Sequence, residues 1–302
     1  MFNQGPKALF FCILLTLAFS AAAPAQAPQT SQPQQPKIDW QRGPNVGHLG
    51  DMGQIKIPQG YQFTGKAGAQ EVLRLTHNIP NGKELGAIVP SSDNENWFMI
   101  FEYDDTGHVK DDEKDSLDAD ALLKSIKEGT EAGNEERRKH GWNAFHVTGW
   151  QKPPYYDPQT HNLTWAIQGR GDDPISKGSI NHSIRLLGRE GTINVDLVAS
   201  PDEYTASIPE FNTLISGFSY TDGHRYADFR SGDKIAKYGL AALIAGGAAG
   251  VALKTGLLAK LIKPLIVGLV ALGAFIKKIF KAIFGGNEQK VEDPMKNAAG
   301  QG

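Results

Sequence analysis

The stretch Trp97-Phe98-Met99-Ile100-Phe101-Glu102-Tyr103 decides the class of fold. It is too short for a helix, and all its side chains but Glu102 are apolar or aromatic. That pattern predicts a strand in the middle of a sheet. Toward the N-terminus, residues 85–89 read as another strand. Residues 54–57 alternate polar and apolar before Pro58-Gln59-Gly60 turns the chain into Tyr61-Gln62-Phe63. Residues 67–75 suit a short helix. On the other side, residues 117–139 carry the clearest helical pattern. Leu122, Leu123, Ile126 and Ala132 form its apolar stripe. Asp118 and Asp120 stand near its start and Arg137-Arg138-Lys139 at its end, which complements the helix dipole, and Gly141 closes it.

Four strand-like segments follow at 144–150, 163–168, 180–187 and 192–199, with residues 188–191 as a hairpin-like connection. A helix at 202–215, with Pro209 as a break point, and a last strand at 218–220 complete the pattern. Consecutive strands joined by short turns predict an α+β fold, with a mainly antiparallel sheet and a few packed helices, rather than a doubly wound one.

The charge of the 302-residue chain is split. Residues 25–233 carry 20 Lys+Arg against 30 Asp+Glu, whereas residues 234–286 hold eight lysines and no acid. An acidic domain is a poor partner for nucleic acid, whose affinity comes largely from Lys and Arg neutralising phosphates. A basic, apolar tail suits an anionic lipid surface. Residues 1–25 read as a signal peptide: Lys7, an apolar stretch over 8–20, and small residues at Ala21-Ala22-Ala23 or Ala23-Pro24-Ala25. A first membrane anchor is the competing reading, disfavoured because the apolar stretch is shorter than the roughly 20 residues a span needs. Cys12, the single cysteine, falls inside that stretch, so the mature chain is expected to hold no disulfide or thiolate site. Residues 26–37 are rich in Pro and Gln and read as an extended linker. A domain over 38–233 follows.

Residues 235–253 are predicted to span a membrane, about 28 Å at 1.5 Å per residue, with Lys237 snorkelling. Gly246 and Gly250 form a GxxxG pair of the kind that lets membrane helices approach, in a homodimer for example. A second apolar and basic helix over 257–284 either crosses back or lies along the interface. Lys254, Lys260 and Lys263 belong on the cytoplasmic side by charge, and Lys277 and Lys278 argue against a second crossing that its apolar middle would favour. Residues 285–302 read as a disordered tail.

Signals for chemistry are weaker. The carboxylate-dense run from Asp104 to Asp115 could offer oxygens to calcium, but it lacks EF-hand spacing and reads more simply as a solvated loop. None of the eight histidines falls in a metal-binding motif, although His146 and His182 could meet Asp157 or Asp173 across a sheet. Ser183 beside His182 points to the opposite face of its strand, which defeats a nucleophile–base pair. Trp97, Trp142, Trp150, Tyr155, Tyr156 and Trp165 build a core or line a groove. The candidate binding surface is Trp150, Tyr155, Tyr156, Asp157, Trp165, Arg185 and Arg189; no cofactor is indicated.

Several blocks are shared in order and spacing with a known family. They include Trp97-Phe98 through Glu102-Tyr103, Val109-Lys110-Asp111-Asp112-Glu113, Pro154-Tyr155-Tyr156-Asp157, Leu163-Thr164-Trp165-Ala166, Arg185-Leu186-Leu187-Gly188-Arg189-Glu190-Gly191, and Arg225-Tyr226-Ala227-Asp228-Phe229 leading to Lys237-Tyr238-Gly239-Leu240. Over nearly the whole mature chain the sequence resembles a bacterial family of uncharacterised membrane-anchored proteins, a domain of unknown function. His108 and His182 stand where the resemblance implies tyrosine. It implies a bacterial envelope location and supplies no catalytic residue; with the signal peptide and the basic tail, an inner-membrane protein with its main domain in the periplasm is expected. The expected role is non-enzymatic binding of a protein or envelope component, as scaffold or sensor, with self-association through the membrane helix as a further expectation. The alternative is an envelope hydrolase or transferase using His and Asp groups of the central sheet.

Overall fold

The computed structural model describes residues 38–173 and 177–246. Eight strands form the main sheet: β1 (Gln41–Arg42), β4 (Tyr61–Gly65), β5 (Glu84–Pro90), β6 (Phe98–Asp104), β7 (Phe145–Asp157), β8 (Asn162–Gly171), β9 (Ser179–Leu187) and β10 (Thr192–Ala199). Their order is β1-β4-β5-β6-β10-β9-β8-β7, and every neighbouring pair is antiparallel. The 97–103 stretch thus supplies β6, fourth of the eight, as its composition predicts. A smaller antiparallel sheet has the order β11 (Phe218–Tyr220), β3 (Gly53–Ile57), β2 (Asn45–Leu49). The α+β class with few helices is what the chain adopts.

One face of the main sheet is largely apolar. Phe63, Ile88, Met99, Phe101, Val195 and Leu197 pack there against Leu49, Ile55 and Ile57 of the small sheet, and against Phe211 and Leu214 of α3 (Pro201–Ser216). The other face carries α1 (Lys66–Leu75) over Ala87, Val89, Phe98 and Ile100. Farther along, α2 (Ala119–Lys139) and the short α4 (Leu240–Ile244) cover Phe145, Val147, Leu163, Trp165 and Leu187. Asp118 caps α2 by accepting from the backbone N–H of Asp120 at 3.1 Å and Ala121 at 3.0 Å, as its place in the sequence predicts.

Two local expectations change. Pro209 does not break α3, which runs unbroken to Ser216. Pro209 sits on the exposed side, where water can take the carbonyl bond that its missing N–H forgoes. Strand β7 runs on through Pro153-Pro154 to Asp157 instead of stopping at Trp150. As the last strand of the sheet it can carry prolines, and its register shifts at Trp150/Lys152 and Lys152/Tyr155 absorb them.

The apolar run expected to be helical from Ile235 to Leu253 is described only as far as Gly246. Within that part, Ile235 bridges His108 in parallel, the helix begins at Leu240, and Ala245-Gly246 form a turn with φ +96° at Gly246. Helical geometry before Leu240 is prevented by this pairing with the loop that holds His108. Among the described residues no helix is long and apolar enough to cross a membrane. Gly250, Lys254, Lys260, Lys263, Lys277 and Lys278 lie outside the described residues, as do the signal-peptide and linker segments.

Candidate functional site

Three stretches far apart in sequence meet where α2 and α4 cover the sheet: the carboxylate-dense loop, the β7–β8 turn, and the segment after β11. Their aromatic and imidazole rings form a stack. His108 lies between Tyr226 and Phe229, with ring centroids 4.3 and 4.2 Å away. Tyr226 packs its other side on His161, 4.1 Å off, and His161 Nδ1 pairs with the Tyr156 hydroxyl at 2.9 Å. The Tyr226 hydroxyl donates to the Val109 carbonyl at 3.1 Å. His161 takes a left-handed backbone conformation, φ +53°, which costs a non-glycine residue about 1–3 kcal/mol and is tolerated where packing over-determines it. His108 is buried, and its Nδ1 has no hydrogen-bond partner.

Burial sets the protonation of this stack. It lowers the His108 pKa, so that ring is neutral at physiological pH. It pushes Tyr226 up to about 12, with Asp111 adding to the effect, and raises Tyr156 further. His108, Tyr156 and Tyr226 are therefore held uncharged, which suits stacking and hydrogen bonding.

The carboxylate loop is largely solvated, with Asp105, Asp112 and Asp115 exposed. Among the described residues no three His, Cys, Asp or Glu side chains stand in metal-binding geometry. The loop instead clasps the C-terminal segment. Lys234 Nζ donates to the Asp105 carboxylate at 3.0 Å, His108 and Lys234 pair through their backbones at 2.8 Å, and Glu113 Oε2 accepts from Ala241 N at 3.1 Å at the start of α4. Gly107 (φ +90°) leaves no room for a side chain, since a Cβ there would stand 2.7 Å from the Lys234 carbonyl oxygen. Arg189 completes the clasp, reaching both Asp233 oxygens at 2.7 Å and holding that carboxyl down at about 2.

The seven residues expected to share one binding surface are divided. Trp165 is 3 % exposed and lies under the Arg185 guanidinium, 4.7 Å from its ring centre; Arg185 in turn pairs with Asp196 at 3.3 Å. Both are interior, because β8 and β9 are covered on that face. Arg189 is committed to Asp233. Trp150 donates Nε1–H to the Ala119 carbonyl at 3.1 Å, tying β7 to α2. Asp157 closes the β7–β8 turn by accepting from Gln159 N and Thr160 Oγ1. Only Tyr156 enters the ring stack. Tyr155, on the opposite face, is 46 % exposed with Lys152 Nζ 4.3 Å over its ring.

The histidines do not converge on Asp157 or Asp173 either. His146 pairs with Glu131 at 2.7 Å and Asp172 at 2.9 Å, and those hydrogen bonds raise its pKa. His182 is buried against Phe211, pairs with the Tyr204 hydroxyl at 2.8 Å, and is pushed down to about 4 by desolvation. Ser183 points the other way and donates to Asp196. Both residues that depart from the expected tyrosine, His108 and His182, thus fill ring-shaped slots in the interior.

The sequence reading missed the polar lane beside Trp165. Glu102, Asp196, Ser183 and Arg185 lie side by side across β6, β10 and β9. Glu102 accepts from Asn81 at 2.9 Å, and Glu84 takes Asn81 N at 2.6 Å and Gln70 Nε2 at 3.0 Å. Burial, and then the Asp196 charge, push the Glu102 carboxyl up to about 7. The signal available was Glu102 itself, a lone acid inside an otherwise apolar strand.

The model of a family described as "Protein of unknown function (DUF2167)" matches residues 41–277. No curated protein matches the chain. Among solved structures, the chain is similar to a cyanobacterial PsbP (CyanoP) from Synechocystis sp. PCC 6803, at 14% identity and a TM-score of 0.37, covering 65% of this chain and 100% of that one. It is also similar to the Ran-binding protein Mog1p of Saccharomyces cerevisiae, at 10% identity and a TM-score of 0.31, covering 64% and 99%. At these scores the two likenesses carry no argument about the role of this chain.

Proposed function

Since the chain belongs to the family of proteins of unknown function DUF2167, a description without an activity, we propose its role from its own residues. It is a bacterial envelope protein held in the inner membrane by its C-terminal apolar run. Its α+β domain lies in the periplasm and binds a protein or another envelope component, as a scaffold or sensor, without catalysis. The lipid bilayer is its first partner, and self-association is a second contact this reading allows.

The observation that carries the proposal is the clasp. The chain enters its apolar run from inside the domain, with Leu240, Leu243 and Ile244 buried in the cluster that holds Phe145 and Leu163. A domain tied to a lipid surface by a flexible leash samples all orientations. One tied through its own core presents a fixed side, which suits recognition of a partner at the same membrane. The absence of catalysis is supported by the paired state of the groups that would perform it, as with His182 on Tyr204 and Ser183 on Asp196.

Crosslinking of the full chain in native bacterial membranes, followed by identification of the captured protein, tests this reading. Recovery of a single reproducible partner is expected. A chain that stays with the cytosolic fraction in the absence of detergent sinks the envelope reading. Turnover of an envelope substrate that is lost in His182→Ala would replace binding with catalysis.

A further inference from the structure

The small sheet ends in an open edge. Strand β11 pairs with β3 on one side only. Lys56 N donates to the Gly217 carbonyl at 3.1 Å and Thr221 N to the Met52 carbonyl at 3.0 Å. Hydrogen-bonded pairs alternate along an antiparallel ladder, so Ser219 exchanges its bonds with Gln54. The backbone N–H and C=O groups of Phe218 and Tyr220 then point away from β3. Among the described residues no turn, loop or cap hydrogen bond reaches them. A groove of about 570 Å³ runs along this strand, lined by Phe218, Ser219, Tyr220, Gln54, Asp222 and Arg225.

The edge is also rigid. The Tyr220 hydroxyl donates to the Leu186 carbonyl at 2.6 Å and accepts from Ile193 N at 3.1 Å, which pins β11 to the end of the main sheet. Beyond the strand, Arg225 pairs with Asp222, and its backbone N–H is held by Asp228 at 3.0 Å. An edge fixed at both ends pays little entropy on receiving another strand. The opposite end of the main sheet is guarded differently, since β7 carries Pro153, Pro154, Lys152 and its register shifts, the devices that keep edges from pairing. Among the described residues, β11 is guarded only by its shortness and by the charges of Asp222 and Arg225 beyond its end.

From this geometry we infer that the β11 edge receives an extended peptide segment of another protein, which adds as a fourth strand to the small sheet. The other candidate occupants are disfavoured by where the chain leaves the domain. Ile38 and Trp40 pack beneath α1, and α4 packs with α2, both on the helical face of the main sheet. The small sheet covers the other face. Neither end of the described domain therefore starts beside β11. A folded partner with an apolar docking face has little to meet, because Val46, Tyr155 and Ile235 are the only large apolar side chains exposed among the described residues. Main-chain hydrogen bonds to Phe218 and Tyr220, with one side chain of the incoming strand seated in the groove, supply affinity without such a patch.

This inference rests on the reading of the domain as a binding module and names the surface it uses. The test selects random ten-residue peptides displayed on phage against the full chain, then follows amide hydrogen exchange with and without a selected peptide. The expected result is fast exchange at Phe218 and Tyr220 in the free protein, slowed at least tenfold by peptide. Gln54→Trp, which fills the groove from an exposed position, should weaken peptide binding at least tenfold. Slow exchange at both amides in the free protein overturns the inference: dependence on concentration then assigns the edge to a second copy, and independence to the chain's own segments. Protection elsewhere, unchanged binding to Gln54→Trp, or no selected peptide overturns it as well. If a partner is still crosslinked in membranes, only the edge assignment falls; if none is captured, the binding reading falls with it.

Discussion

The same strands build both faces of the eight-stranded sheet, yet the two faces are held together by different physics. Under α3 and the small sheet, Phe63, Met99, Phe101, Val195 and Leu197 belong to one apolar cluster. On the helical face, α1 and α2 cover the two ends, and the ground between them is Glu102, Asp196, Ser183 and Arg185. Burial of apolar area holds most of the first face and is indifferent to pH. The second keeps charged groups out of water, so its contribution depends on which of them are ionised. Sensitivity to pH is thus concentrated on one side of the layer, with His182 an exception on the other.

The comparison breaks most directly at Phe101, which is fully buried on the apolar side. Phe101→Ala should cost about 3–5 kcal/mol in denaturant unfolding, equally at pH 5 and pH 8. Equal sensitivity of the two faces to pH would undo the distinction.

Glu102 tests the polar side. Its folded pKa, about 7, lies above the ordinary carboxyl value of 4.5, so between those values the folded state holds more proton than the unfolded one. Its contribution is fully present below pH 4.5 and is lost as pH rises toward 7. Glu102→Gln removes that loss and should stabilise the protein by roughly 2–3 kcal/mol at pH 8, with little gain at pH 4.5. His182 acts with the opposite sense from the apolar side. Its folded pKa of about 4 lies below the ordinary imidazole value of 6.5, so its neutral burial costs stability as pH falls through that interval. His182→Phe should flatten the acid limb of the stability curve between pH 6.5 and 4, measured by thermal unfolding across pH.

Smaller effects sharpen the picture. Asp118→Ala removes the cap of α2 and should cost about 1 kcal/mol, read from the denaturation midpoint. Tyr155→Ala, at an exposed position, should change stability by less than about 0.5 kcal/mol. Its value lies in the contrast with Trp165, a buried aromatic of the expected surface, whose replacement by Ala should cost several-fold more because its ring lies beneath Arg185.

The apolar face was legible because alternation reports it: residues 97–103, 192–199 and 54–57 announce their strands, and the antiparallel order follows from the short connections between them. The helical face was harder to read. Glu102 and Asp196 look like solvent-facing positions in a half-wet strand, and only the placement of α1 and α2 over the sheet makes them interior. The candidate surface failed for the same reason. Trp165 and Arg185 are neighbours across a ladder, as the strand reading allowed, but a covered ladder is not a surface. His108, His161 and Tyr226 come from loops whose meeting depends on long-range closure, and no local periodicity encodes that. The carboxylate run was visible as a charge cluster, while its use as a clasp required the C-terminal segment to fold back onto it.

That clasp has a practical consequence for anyone preparing the protein. Charge composition changes abruptly after Asp233, which makes it the natural place to cut a shortened version. Doing so would strip Tyr238, Leu240, Leu243 and Ile244 from beneath α2 and leave a greasy hollow facing buffer. Such a fragment is expected to aggregate, whereas one retained through Ala245 keeps its plug and should stay dispersed.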